Sequence, residues 1–336
     1  MTARTIFALA SGHGRAGIAV IRLSGPDAGE ALRRLAGPLP PPRVAARAAF
    51  TDPRDSMLLD QGLAVWFPAP RSFTGEDVAE LHIHGGRAVI EGLLGALASI
   101  PGLRTAEPGE FTRRAFEHGK MDLTQAEALA DLVDAETSAQ ARQALRQMGG
   151  DLKALYDGWR ARLVKALAHL ETVIDFPDED LPADVAARLW AEVKDLVEEI
   201  GRHLDDGGRG ERIRDGLRVA IIGPPNAGKS SIINMLSGRD AAIVAATPGT
   251  TRDVIEVHLD LAGFAVTLAD TAGLREAADE IEREGIRRSR LTAETADLKI
   301  AVFDGTAPQE EMTESTTAAL IDANTLVVIN KGDLLR

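Results

Sequence analysis

Residues 219–230 constrain the fold of this chain more than any other stretch. An apolar, β-branched run from Val219 to Ile222 reads as a buried strand. It leads directly into Gly223-Pro-Pro-Asn-Ala-Gly228-Lys229-Ser230, the spacing G-x-x-x-x-G-K-[ST]. A helical pattern follows, with Ile232, Ile233 and Leu236 on one side. Strand, glycine-rich turn and helix in that order make a phosphate loop. Its backbone N–H groups curl around phosphate oxygens, and the helix N-terminus adds the positive end of its dipole. Lys229 reaches the β- and γ-phosphates, and the Ser230 hydroxyl ligates Mg²⁺. A plain Gly/Pro turn between two core elements is the bland alternative, and the flanking strand and helix in register argue against it.

The base of the nucleotide is specified further along. Asn330-Lys331-Gly332-Asp333 follows the apolar run Leu326–Ile329 and resembles the guanine-reading motif of translation-factor-type GTPases. The Asp333 carboxylate suits the ring N–H and exocyclic amine of guanine; adenine offers neither and would leave the carboxylate unpaired. Asp270-Thr-Ala-Gly273, at the end of an expected strand Phe264–Ala269, is placed to hold Mg²⁺ through water and to sense the γ-phosphate. Thr250 and Thr251, in Gly249-Thr-Thr-Arg252, supply a hydroxyl for the same ion. The expected nucleotide-binding set is Asn226, Ala227, Gly228, Lys229, Ser230, Ser231, Thr250, Thr251, Asp270, Gly273, Asn330, Lys331 and Asp333, with Mg²⁺ on Ser230 and Thr251 and either GTP or GDP bound.

Two residues narrow the kind of GTPase. Leu274 follows Asp270-Thr-Ala-Gly273, where many GTPases carry the glutamine that orients the attacking water. Another group must do that work, and Glu282 is the candidate, beside Lys229 and Asp270 as the other catalytic groups. A solvated acidic helix face is the plainer account of Glu282. Asn226 resembles the asparagine with which potassium-activated GTPases hold K⁺. A cation there would neutralise charge between the phosphates, as an arginine finger does; an ordinary turn residue is the alternative.

At 336 residues two domains are expected, with 45% hydrophobic and 26% charged residues in the usual range for globular chains. There is no cysteine, which excludes disulfides and thiolate metal sites. No apolar run has the length of a signal peptide core or a membrane span, so the chain reads as cytoplasmic with no membrane contact. The net charge of −13 argues against a broad basic nucleic-acid surface, so any RNA contact must be local or made through a partner.

Three parts follow from the patterning. Residues 1–118 read as an α+β domain, with strands at Thr5–Ala10, Gly17–Leu23, Gly62–Phe67 and Val78–Ile83 and a helix at Val89–Ser99. Gly12, Gly14 and Gly17 spell G-x-G-x-x-G but lead into a strand, so a dinucleotide site lacks its context. His82 and His84 share a strand face, where packing or solvent outranks a metal. Residues 119–215 read as a helical domain: apolar residues at helical spacing from Thr124 to Gly150 with Thr124 as N-cap and Glu127 completing a capping box, then Leu152–Ile174 and Val185–Leu204, then a flexible joint at Gly207–Gly210. Residues 216–336 read as an α/β P-loop GTPase domain that stops one strand and one helix early, so the chain is expected to be the N-terminal portion of a longer protein.

The combination resembles the MnmE (TrmE) family of tRNA-modification GTPases over essentially the whole chain. The resemblance rests on Phe73-Thr-Gly-Glu-Asp77, Glu80, His84-Gly-Gly86, Pro108-Gly-Glu-Phe-Thr112, Arg114-Ala-Phe116, Lys120-Met-Asp-Leu-Thr-Gln-Ala-Glu-Ala128, Ile174-Asp-Phe-Pro-Asp-Glu179 and the GTPase motifs. It implies that residues 1–118 form a folate-binding-like domain that also mediates homodimerisation. Arg22, Glu80 and Lys120 would contact a 5,6,7,8-tetrahydrofolate derivative, 5-formyl or methylene. K⁺ would be held by Asn226 and by the loop at Ala245, Thr247 and Thr250, and Glu282 sits where the family's water-orienting glutamate sits. Working as a heterotetramer with the FAD protein MnmG, which would make most of the tRNA contact, such a chain would install a (carboxymethyl)aminomethyl group on C5 of the wobble uridine. Ala245 and Ala246 depart from the polar residues expected in the potassium loop. A ribosome-assembly GTPase would carry an RNA-binding domain and basic charge, which are missing here. A folate-dependent transferase regulated by GTP is the alternative from another class.

Overall fold

The computed structural model describes residues 4–175, 184–205, 208–224, 226–238, 242–243, 255–261, 263–270, 291, 293–307 and 317–334. The chain divides into two compact units, Met1–Ala126 and Glu127–Arg336.

The first unit runs β1 (Thr5–Leu9), β2 (Ala16–Ser24), α1 (Ala28–Ala36), β3 (Ala46–Thr51), β4 (Leu58–Phe67), β5 (Val78–Gly85), α2 (Arg87–Ala98), β6 (Leu103–Thr105) and α3 (Glu110–Glu117). Its sheet has the order β3-β4-β5-β2-β1-β6, and only the β1–β6 pair is parallel. Alternation along the strands sends every second side chain to one face. Ile21 and Leu23, Ala79, Leu81 and Ile83, and Ala64 and Trp66 form a core there. On that face α1 packs Ala28, Ala31, Leu32 and Leu35, the i, i+3, i+4, i+7 stripe of an amphipathic helix, and α2 packs Leu93, Ala96 and Leu97. The opposite face carries Arg22, Glu80 and His82. The sequence pattern missed α1, β3 and α3: β3 is Ala-Arg-Ala-Ala-Phe-Thr, too alanine-rich to look like a strand, and the two helices are short.

Charge packs α3 against the loop between β4 and β5. Arg114, buried, donates to Glu110 and to both oxygens of Glu76, at 3.2 and 3.0 Å, and to the Arg4 carbonyl at 2.9 Å. Ser24 hydrogen-bonds Thr74 and Glu76 from β2, each at 2.7 Å, and the His118 ring meets the Thr74 carbonyl at 2.8 Å. The motifs Phe73–Asp77 and Pro108–Phe116 thus make one interlocked structure. Burial alone would push the Glu110 carboxyl up, but Arg104, the Glu107 N–H and Arg114 together hold it at about 2.

The second unit begins with helices: α4 (Leu123–Asp134), whose first turn lies in the first unit, α5 (Ser138–Met148), α6 (Asp151–Asp175), α7 (Asp184–Leu204) and α8 (Arg209–Asp215). Three expectations are corrected here. The helix from Thr124 to Gly150 is broken, because Thr137 leaves helical geometry and forms a capping box with Gln140 that starts α5. The N-terminal turn of α4 is closed by Asp122 and Gln125, not by Thr124 and Glu127: Asp122 accepts from the Gln125 N–H at 2.9 Å, and the Gln125 side chain accepts from the Asp122 N–H at 3.0 Å. The expected joint at 207–210 overlaps α8, which is bonded to α5 and α4 through Gln140 Nε2 to the Arg214 carbonyl and Arg214 to Asp131, both 2.9 Å. Helices α6 and α7 meet where Glu199 accepts from Trp159 and Arg162, yet Leu163, Leu167, Leu170, Trp190 and Val197 stay exposed.

Next come β7 (Leu217–Ile222), α9 (Lys229–Ser237), β8 (Ala242–Ile243), β9 (Ile255–Leu261), β10 (Phe264–Asp270), β11 (Leu298–Asp304) and β12 (Thr325–Asn330), in the sheet order β12-β11-β7-β10-β9-β8. Pairs from β10 through β7 and β11 to β12 are parallel, and β9 runs antiparallel to both neighbours. Both faces are covered: Val219 and Ile221 pack with Ile233 of α9, while Ala220 and Ile222 pack with Ala293 and Phe303. The architecture is therefore α+β, then helical, then α/β, as the sequence patterning anticipated. No helix among the described residues is long and apolar enough to cross a membrane.

Glu110→Gln should lower stability at pH 7 by about 2 kcal/mol, the scale of lost hydrogen bonds to a charged group. Because folding depresses this carboxyl, its contribution is complete above its ordinary value of 4.5 and is lost as pH falls toward 2. Calorimetric unfolding of parent and variant should therefore converge across that window; a gap that stays constant down to pH 2 would remove Glu110 as the source.

Candidate functional site

Parallel pairing brings the carboxyl ends of β7, β10, β11 and β12 to one edge of the second sheet. Asp270 lies opposite Ile221, and Asp304 opposite Asn330. In open α/β sheets that edge is where ligands bind. The phosphate loop, Asp270 and the Asn330 motif, far apart in sequence, end up there together.

The loop's shape follows from its glycines. Gly223 has φ 156°, and a Cβ on it would stand 2.3 Å from the Val302 carbonyl oxygen of β11. Gly228 has φ 96°, and a Cβ there would lie 1.9 Å from Asn330 Nδ2. Asn226 is left-handed as well, with φ 63°, and its side chain is exposed at the turn. Ala227 is buried in the core under the loop. Lys229 is buried except for 7% of its surface, and its Nζ donates to the Gly223 and Pro224 carbonyls at 2.7 and 2.8 Å, so the ammonium spans the loop. Ser230 and Ser231 are exposed in the first turn of α9.

Asn330 ties the base motif to this loop: its Nδ2 donates to the Ala227 carbonyl at 2.9 Å. Lys331 turns with φ 59° and sends Nζ to Asp304 Oδ2 at 2.6 Å. The hydrogen bond from Lys331, with those from Thr306, holds the Asp304 carboxyl at about 2. Asp333 sits exposed in a single 3-10 turn, Gly332–Leu334. Asp304 was not anticipated, although a strand ending in Asp-Gly-Thr beside an expected nucleotide site was a signal. Ala245, Thr247, Thr250, Thr251, Gly273 and Glu282 lie outside the described residues, and of Asp270 only the strand backbone is described.

The other candidate set lies on the first unit's sheet face that α1 and α2 leave uncovered. Arg22 and Glu80 are register partners on β2 and β5. Arg22 Nε and Nη2 both donate to Glu80 Oε1, at 3.0 and 2.8 Å. The guanidinium lies over the Phe73 ring, 5.2 Å from its centroid, and over the Phe111 ring at 5.8 Å. Lys120 Nζ donates to the Pro70 carbonyl at 3.0 Å, and its stem runs beside Gly75 in the loop that carries Phe73. One loop thus borders both Arg22 and Lys120. The sequence motifs contain Phe73 and Phe111 but give them no role, since a cation over an aromatic ring leaves no spacing signal.

Known proteins match this chain in sequence. The family model described as "GTP-binding protein TrmE N-terminus" matches residues 5–120, and that described as "MnmE helical domain" matches residues 123–330. A protein of Parvibaculum lavamentivorans named tRNA modification GTPase MnmE is 60% identical over 331 residues, covering 98% of this chain and 75% of that one. Its namesake in Paramagnetospirillum magneticum is 59% identical over 332 residues, covering 98% and 74%. A human mitochondrial protein named 5-taurinomethyluridine-[tRNA] synthase subunit GTPB3 is 52% identical over 345 residues, covering 98% and 70%.

Gly228→Ala should weaken GTP binding by about tenfold or more, because the methyl group must displace Asn330 and the backbone loses an accessible conformation. Lys229→Ala should abolish measurable binding, since the β/γ-phosphate contact disappears. Titration with a fluorescent GTP analogue checks both; parent-like affinity in either variant would sink the loop assignment.

Proposed function

The chain belongs to the MnmE family of tRNA modification GTPases, and from that premise we propose that it is a K⁺-activated, folate-binding member acting on the wobble uridine. In this reading it works as a homodimer with an MnmG-type FAD protein, which makes most of the contact with tRNA, and the modification is a (carboxymethyl)aminomethyl group on C5. Residues 1–118, 119–215 and 216–336 serve as folate-binding, helical and GTPase parts.

Support for the reading comes first from the Arg22–Glu80 pair, because a simple GTPase has no use for it. A charged pair on an open sheet face, bordered by Phe73 and Phe111, fits a ligand with a flat hydrogen-bonding ring and an anionic tail. Arg22 and Lys120 supply cations and Glu80 an acceptor. Tetrahydrofolate, when bound, supplies the one-carbon unit.

At the other site the backbone of 226–231 and Lys229 receive the phosphates, and Asp333 reads guanine. Ser230 and Thr251 would hold Mg²⁺. Asn226, left-handed and exposed at the turn, fits a side-chain ligand for K⁺, with Ala245, Thr247 and Thr250 completing its shell. A bound K⁺ supplies positive charge between the phosphates. Glu282 orients the attacking water.

GTP hydrolysis in KCl should exceed that in NaCl at equal ionic strength by about tenfold or more, and Glu282→Ala should lose it, the scale of a removed general base. Equal rates in the two salts would remove the potassium mechanism while leaving the family assignment intact. Arg22→Ala should weaken 5-formyltetrahydrofolate binding by about tenfold with GTP affinity unchanged; identical folate isotherms for variant and parent would refute the role of Arg22.

A further inference from the structure

His82 stands two residues beyond Glu80 on β5, on the same sheet face, and has no part in the roles assigned so far. Its register partners are Val20 on β2 and Leu63 on β4, neither of which offers an acceptor side chain. Its Nε2 is enclosed and makes no hydrogen bond, although 33% of the side chain is exposed. The charged atom facing it is Glu80 Oε2, 3.5 Å away. Glu80 is correspondingly lopsided: Oε1 takes both hydrogen bonds from Arg22, while Oε2 faces the imidazole. His84, the next residue on this face, is already engaged, with Nδ1 2.8 Å from Asp60 Oδ1.

A formed N–H···O⁻ bond spans about 2.7–2.9 Å, so the His82–Glu80 contact is a hydrogen bond that a small side-chain rotation completes. The neutral Nε2–H tautomer suffices, and closing the gap relieves the cost of an enclosed nitrogen without a partner. We propose that His82 is a positioning residue for Glu80: by donating from Nε2 to Oε2 it sets the plane of the carboxylate for the amino-oxo-pyrimidine edge of a reduced pterin. That edge presents adjacent N–H donors; with Oε1 taken twice by Arg22 and Oε2 once by His82, the acceptor site left open on Oε2 meets one of them with no rotation left to lose on binding. The assignment rests on the folate reading above and adds the residue that preorganises its acceptor.

The test is calorimetric titration of the full chain with 5-formyltetrahydrofolate. His82→Ala should raise Kd by about tenfold, the scale of a hydrogen bond to a charged group, and His82→Gln should restore most of the loss because its amide can donate to the same oxygen. In a Glu80→Ala background, His82→Ala should change nothing further, since its effect passes through the carboxylate. GTP hydrolysis and melting temperature should match the parent in both single variants at His82. Losses that add in full across the two backgrounds, or a parent-like Kd in His82→Ala while Glu80→Ala binds weakly, would overturn the role of His82 alone. Parent-like titrations of both Arg22→Ala and Glu80→Ala, or no uptake by the parent, would overturn the folate site itself and this proposal with it.

Discussion

The nucleotide edge depends on one hydrogen bond, from Asn330 to the Ala227 carbonyl. It joins the end of β12 to the phosphate loop after β7 across the intervening β11, so the base motif and the phosphate loop share one frame. Space for it exists only because Gly228 has no side chain, and the loop reaches that place only because Gly223 passes Val302 without a Cβ. Lys331 adds a second tie by pairing with Asp304 at the end of β11. These short polar links are cheap individually, about 1 kcal/mol each. Their value lies in fixing geometry at the one edge where four parallel strands end.

The first unit solves a similar problem with charge. Phe73 and Phe111 come from a loop and a short helix that have little core of their own. Arg114, Glu110 and Glu76 bind the two together beneath the surface. A buried ionic cluster is a poor source of net stability, because desolvation offsets most of the attraction. It does select one arrangement, and that arrangement sets both aromatic rings beside the Arg22–Glu80 pair.

Much of the fold was legible beforehand. The Val219–Ile222 run, the glycine and lysine spacing after it and the apolar run before Asn330 each announce an element and its chemistry from local physics. Alternation in β5 put His82 and His84 on one face. Other features were hidden. The break between α4 and α5 escaped notice because helical periodicity continues through residues 135–137 while Thr137 and Gln140 satisfy each other locally. The first cap of α4 was misplaced by two residues, since Asp122 and Thr124 are both good caps and only the hydrogen-bond partners distinguish them.

From the sequence alone came the phosphate loop, the guanine-reading motif, the three kinds of architecture and the residue types able to meet phosphate, because these depend on local spacing and side-chain chemistry. Tertiary structure decided which of those residues stand together. Arg22 meets Glu80 across 58 positions through the register of β2 with β5, and Asn330 meets Ala227 across 103 positions through the order of a parallel sheet. Strand register and strand order come from burying whole faces of a sheet. No short stretch of sequence contains them.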